Sequence, residues 1–145
     1  MEYTIKKIKK GDKSSGSYDL YVEIDSQKIF FATVDYCDLY RLKYSVHGMR
    51  YSTLKDAIRE ASTSIDNYVN KYKEEVERVN KIKSKFPTEI SYERKRQAEI
   101  CLARLRRAIA NAEGPALDKL CKKIGILKIY LGYIDNSVIA AQIGY

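Results

Sequence analysis

The feature that most constrains this chain is one apolar stripe at helical spacing: Leu54, Ile58, Ala61, Ile65, Tyr68, Val69, Tyr72, Val76 and Val79. Residues three or four apart share one face of an α-helix, so the run is a helix with one side to bury. Before it, Thr53-Leu54-Lys55-Asp56 fits a capping box, in which the hydroxyl and carboxylate satisfy free amides of the first turn. Pro87 disfavours helical geometry in the residue before it and sets the end at Phe86. About thirty residues at 1.5 Å each span roughly 45 Å, more than a small domain is wide. The stripe therefore needs a long partner. A second helix starting near Thr88 supplies one, with Ala98, Cys101, Leu102, Leu105, Ile109 and Ala112 inward and a stop at Gly114-Pro115. The two are expected to form an antiparallel hairpin joined at Lys85–Thr88.

Upstream the period changes from helical to two. Tyr18, Leu20, Val22 and Ile24 alternate with Asp19, Tyr21, Glu23 and Asp25, the pattern of a half-buried strand. A polar Asp25-Ser26-Gln27-Lys28 turn leads into Ile29-Phe30-Phe31-Ala32, giving a hairpin. Tyr3, Ile5 and Ile8 make a first strand. Tyr40, Leu42, Tyr44 and Val46 make another, which His47-Gly48 turns back toward Met49–Tyr51. Gly11–Ser17 resembles a phosphate cradle in composition, but it has neither the Lys-Ser/Thr ending nor a helix after it, and it reads as a loop.

After the helical hairpin, Pro115 at a first helical position, inward Leu117, Leu120, Cys121 and Ile124, and Gly125 behind Lys122-Lys123 define a short helix. The residues beyond it allow two readings. Ile126–Ile134 and Val138–Tyr145 are rich in β-branched and aromatic residues around Asp135-Asn136-Ser137, which describes a C-terminal β-hairpin. The apolar spacing Leu120, Ile124, Ile126, Leu131, Ile134, with Gly125 as the turn, instead resembles the helix-turn-helix of phage-repressor-type regulators. Arg107–Gly114 resembles the helix before it in that family. This resemblance, over residues 107–137, implies a recognition helix near Leu127–Asp135. Of its base-facing positions Leu127, Lys128, Ile129, Gly132 and Tyr133, only Lys128 is a residue type that reads base edges.

The expected fold is α+β: an N-terminal antiparallel sheet, a long antiparallel helical hairpin, a short helix and a C-terminal β-hairpin. It forms a single domain over 1–145, with a β-sheet part at 1–53, a helical part at 54–124 and the C-terminal hairpin at 125–145. The long helix and the apolar end segment point to a homo-oligomer, a dimer or higher.

Composition narrows the function classes. No apolar run approaches the length of a membrane span, residues 1–10 carry no apolar signal core, and Cys37, Cys101 and Cys121 are odd in number and scattered. A reduced, cytoplasmic protein without a membrane partner is expected. Lys and Arg total 27 against 19 acidic residues, a net of +8. The excess is even along the chain: segments 1–53, 54–86, 87–114 and 115–145 each net +2. An anionic partner is the default, either a small phosphate-bearing nucleotide or nucleic acid.

Catalytic and metal chemistry has few candidates. The single histidine, His47, sits in a turn, Cys101 and Cys121 fall on inward stripes, and Asp35 and Asp38 lie on a strand connection. No catalytic residue, metal site or cofactor is expected. The remaining signal is arginine. Arg96, Arg104 and Arg107 lie on the second helix, and Arg94, seven residues before Cys101 and eight before Leu102, falls within its apolar stripe at the helix's beginning. An inward charge needs a partner. The candidates are a carboxylate of Glu75 or Glu77, or a ligand's phosphate with Phe86 and Tyr92 as stacking surfaces.

Two further resemblances bear on setting. Residues 31–44, Phe-Ala-Thr-Val-Asp-Tyr-Cys-Asp-Leu-Tyr-Arg-Leu-Lys-Tyr, look like the start of phage HNH homing endonucleases; the nuclease histidines are absent, so only the phage setting is implied. Size and plan across most of the chain are similar to phage Thoeris anti-defence proteins, which sequester a cyclic nucleotide signal without cleaving it. That resemblance implies a non-enzymatic, oligomeric viral protein that acts in the host cytoplasm to counteract defence by capturing a nucleotide. The ligand set is Arg94, Arg96, Arg104, Arg107, Phe86 and Tyr92. The alternatives are a DNA-binding transcriptional regulator using the C-terminal helix-turn-helix and a protein-binding inhibitor.

Overall fold

The computed structural model of the protein describes residues 3–144; Met1, Glu2 and Tyr145, the last residue of the expected C-terminal hairpin, lie outside them. Strands β1 (Thr4–Gly11), β2 (Ser15–Ile24), β3 (Gln27–Cys37), β4 (Tyr44–Val46) and β5 (Met49–Tyr51) come first. Helices α1 (Leu54–Ala61), α2 (Ile65–Lys83), α3 (Tyr92–Ile109), α4 (Gly114–Tyr130) and α5 (Asn136–Ile143) follow, so the fold is α+β. The chain divides into two compact units. One comprises the residues through Glu74 with those from Asn136 onward, and the other is Glu75–Asp135.

The first unit holds an antiparallel meander in the order β1-β2-β3-β4-β5. Alternation along β2 places Leu20, Val22 and Ile24 on one face, each 1% exposed or less. The turn between β2 and β3 tightens to Asp25-Ser26, with φ of 50° and 65°, and His47-Gly48 closes β4 on β5 with φ of 52° and 77°. Paired positive φ values give these two-residue loops the twist that the flanking strands require. Ile29-Phe30-Phe31-Ala32 lacks alternation because the register shifts there: Leu20 faces Ala32, Tyr21 faces Phe30, and Phe31 is the extra residue. This bulge lets Ile29 and Ala32, three positions apart, both be buried.

All eight residues of β1 are exposed, and it is an edge strand. Lys6, Lys7, Lys9 and Lys10 discourage any further strand from pairing with it. The loop after β1 is a local turn: the Asp12 carboxylate accepts the Ser14 and Ser15 amides at 2.9 and 3.0 Å, which holds its pKa below the usual aspartate value. Helix α1 packs on β3, β4 and β5, and α5 packs on β3. Among the described residues no helix is long and apolar enough to cross a membrane.

The expected helix from Thr53 begins as anticipated, with the Thr53 hydroxyl accepting the Asp56 amide at 3.2 Å. Its stripe is buried at Ala61, Ile65, Val69, Tyr72 and Val79. It is not one continuous α-helix, because a 3₁₀ turn at Ser62–Ser64 separates α1 from α2. Three successive hydroxyls explain the interruption. Ser62 donates to the Ile58 carbonyl at 2.6 Å, Thr63 to Glu60 at 2.9 Å and Ser64 to Ala61 at 3.4 Å. Such bonds compete with the backbone ladder and tighten it locally.

Tyr72 is 1% exposed, and its buried hydroxyl has no hydrogen-bond partner among the described residues. Burial, then the nearby Asp25 charge, raises the phenol above its ordinary value. The unfolded chain gives up this proton first, near pH 10. The stabilisation is therefore complete below that pH and is lost as pH climbs through the higher folded value. Tyr72→Phe is expected to raise stability at pH 8 by about 1 kcal/mol, because an unsatisfied hydroxyl is removed without a cavity. Urea titrations at pH 8 and pH 10.5 should show a smaller alkaline loss in the variant than in the parent; an equal loss contradicts this assignment.

In the second unit α3 packs on α4. The core is Ala98, Leu102, Ile124 and Leu131, with Ile90, Leu105, Ile109, Leu127 and Tyr130 packed around it. The stripe of α3 thus closes on the helix after it, and Cys101 and Cys121, expected inside, are both exposed.

The C-terminal β-hairpin is not formed. α4 runs through Gly125 to Tyr130, and α5 starts at Asn136. Leu120, Ile124, Leu127 and Leu131 recur at steps of four, three and four, which places them on one helical face. An interior glycine costs about 1 kcal/mol and each β-branched residue a few tenths. Burying each of Ile124, Ile129 and Leu131 stabilises by roughly 1.5–3 kcal/mol, so packing decides the outcome.

The same continuity removes the helix-turn-helix as placed. Gly125 is no turn, and Leu127–Asp135 is no separate helix. The turn comes at Gly132, whose left-handed φ of 78° suits glycine and ends α4. There the Gly132 amide donates to the Ile129 carbonyl at 3.1 Å and the Tyr133 amide to Lys128 at 2.9 Å. Asp135-Asn136-Ser137, expected to join two strands, instead leads into α5, since these residue types also suit a first helical turn.

Candidate functional site

In the second unit a cleft of about 760 Å³ opens where α2 ends, α3 begins and α4 ends. Local sequence builds each wall. α2 winds down through Lys85→Ile82 and Phe86→Lys83 backbone bonds of 3.1 Å, and Pro87 stops it. Ser91 restarts the chain as a helix, its hydroxyl accepting the Arg94 amide at 3.3 Å, so α3 begins at Tyr92 rather than near Thr88. The Gly132 closure fixes the end of α4 and satisfies the Lys128 and Ile129 carbonyls.

Phe86 and Tyr130 meet edge to face across the cleft, with ring centroids 5.1 Å apart and planes at 81°. Two lysines, Lys83 and Lys95, line it together with the neutral polar residues Asn80, Ser84 and Thr88. Among the described residues no carboxylate, imidazole or thiol lines it. Beside it, the Tyr133 hydroxyl donates to the Glu99 carboxylate at 2.8 Å and ties the end of α4 to α3. That hydrogen bond to Glu99 holds the Tyr133 phenol above its ordinary pKa.

Of the ligand residues expected from sequence, Phe86 alone lines this cleft. Arg94 is not inward: it is exposed in the first turn of α3, and Glu75 is engaged by Arg78 at 2.6 Å instead. By spacing Arg94 falls on the same side as Ala98, Leu102, Leu105 and Ile109, but it stands in the first turn of α3, ahead of Ala98, the first residue of the helix that is buried. Tyr92 is 82% exposed and outside the cleft. Arg96, Arg104 and Arg107 are exposed along α3. Lys83, Lys95, Asn80 and Tyr130 carry no local signal that marks them in the sequence. Only a correct end for α4 brings Tyr130 to Phe86, and intrinsic preference there points to strand.

A smaller cavity of about 360 Å³ lies in the first unit between α5 and the sheet. Of its charged residues Lys10, Asp19 and Lys28, the first two pair at 2.7 Å, and Asp19 also accepts from Thr33 at 3.2 Å. Comparison with known proteins gives no match to any family model, curated protein or solved structure.

Proposed function

We propose that this protein captures a small phosphate-bearing nucleotide in the cleft at Phe86 and Tyr130 and does not turn it over. One observation carries the reading: an aromatic pair and two lysines line a space of about 760 Å³, within the usual size of a ligand pocket. The rings offer faces for a base, the lysines offer charge for phosphate, and Asn80 and Thr88 offer hydrogen bonds to base or ribose edges. The lining lacks the carboxylate, imidazole or thiol that would most readily serve as a general base, which favours capture over chemistry. Sequestration of a cyclic nucleotide signal, and through it interference with a host defence, is the wider role that this capture would serve.

Calorimetry against cyclic and linear purine and pyrimidine nucleotides tests the reading. Micromolar binding is expected for at least one class, and no binding tighter than millimolar ends the proposal. Stacking on an aromatic ring is worth about 1–3 kcal/mol per base, so Phe86→Ala should weaken binding at least roughly tenfold. Lys83→Gln with Lys95→Gln should weaken it further and flatten its salt dependence.

A further inference from the structure

The charge that is even along the sequence is uneven in space. The second unit, Glu75–Asp135, carries 14 basic and 8 acidic residues, a net of +6, while the first carries 13 and 11, a net of +2. Much of this excess lies on α3. At 100° per residue, Arg96, Ile100, Ala103, Arg104 and Arg107 fall on the side away from the core residues Ala98, Leu102, Leu105 and Ile109, a side that Glu93 of the first turn shares. All five are exposed, Ile100 to 45%. Among the described residues none of Arg96, Arg104 and Arg107 forms a side-chain hydrogen bond or an ion pair, whereas Arg59 and Arg78 pair with acids three residues away.

We propose that this outer face of α3 is a docking surface for duplex DNA. Three unpaired guanidiniums on one helical face complement a phosphate backbone, and the planar fork of arginine also matches the acceptor pair of guanine. Arg96 and Arg107 are eleven residues apart, about 16 Å along the axis, and the whole helix is about 27 Å long, enough to lie in a major groove. Ile100 and Ala103 between the arginines are small or apolar, as packing on thymine methyls requires. A-form RNA has a major groove too deep and narrow for a helix, so B-form DNA is the better fit. This surface is distinct from the cleft, and it replaces the C-terminal helix-turn-helix as the element that would meet DNA.

Fluorescence anisotropy with a labelled DNA duplex, a duplex RNA and phosphatidylserine vesicles tests the proposal. DNA binding is expected to be tightest and to weaken steeply with salt. The triple variant Arg96→Gln, Arg104→Gln, Arg107→Gln keeps helix-favouring residues at exposed positions, and circular dichroism should confirm an unchanged fold. It should reduce the slope of log affinity against log salt by about 2–3, near 0.9 for each phosphate that is no longer neutralised. A matched variant, Lys6→Gln, Lys7→Gln, Lys9→Gln, removes the same net charge from β1 and should keep most of the binding. The proposal is overturned by absence of duplex binding at low salt, by equal loss in the two variants, or by preference for RNA or vesicles.

Discussion

Gly16→Ala is expected to destabilise the first unit by roughly 2–4 kcal/mol, the range of severe overpacking at a site that cannot yield. Gly16 lies in β2 between Gly11 of β1 and Tyr36 of β3. A Cβ there would be driven into the Lys10 carbonyl oxygen, and would come within 2.7 Å of the Tyr36 hydroxyl and 2.9 Å of the Gly11 Cα. Two of these three neighbours are backbone, which cannot swing aside as a flexible side chain can. The Tyr36 hydroxyl meanwhile donates to the Asp12 carbonyl, so moving it breaks a partly buried hydrogen bond. Urea unfolding of the variant should show a lower midpoint with an unchanged slope. Adding Tyr36→Phe should recover only part of the loss, because the clash with Lys10 remains. A stability within about 0.5 kcal/mol of the parent would sink the argument.

Leu102→Asp should have a larger effect, above about 4 kcal/mol, in the second unit. Leu102 is 3% exposed and sits among Ala98, Ile124 and Leu131. The substitution removes the packing of a core leucine, itself worth about 2–5 kcal/mol, and leaves a carboxylate without a partner. Leu102→Ala isolates the packing share. Hydrogen exchange is the direct readout: amide protection along α3 and α4 should collapse in Leu102→Asp and weaken in Leu102→Ala. Retained protection in both would mean that this cluster does not hold the two helices together.

Local signals in the sequence are the readable ones. The alternation from Tyr18 to Ile24, the Asp25-Ser26 and His47-Gly48 turns, the Thr53 cap and the Pro87 stop depend on a few adjacent residues and appear where their chemistry places them. Packing choices are not readable in the same way. The residues after Gly125 favour strand by intrinsic preference, yet Ile124, Leu127 and Leu131 bury more surface as a helix on α3 than that preference is worth. Arg94 is exposed for a related reason. Its spacing puts it on the side of Ala98 and Leu102, but burial on α3 begins only at Ala98, and where the partner helix starts to cover that side is set by residues further along the chain. The cleft inherits both difficulties, since it depends on a loop before α3 and on the end of α4.

The return of α5 to β3 has a consequence for biogenesis. Gly144 lies against the Phe30 backbone, where an added Cβ would come within 3.1 Å of the nitrogen. Strands whose partners are adjacent in sequence can pair as soon as they leave the ribosome, but the layer that covers Phe30 is encoded more than a hundred residues later. At roughly 5–20 residues per second, translating residues 75–135 takes about 3–12 seconds, during which Tyr21 and Phe30 wait uncovered. A nascent chain stalled in that interval would expose a sticky aromatic surface, and a chaperone would find its purchase there.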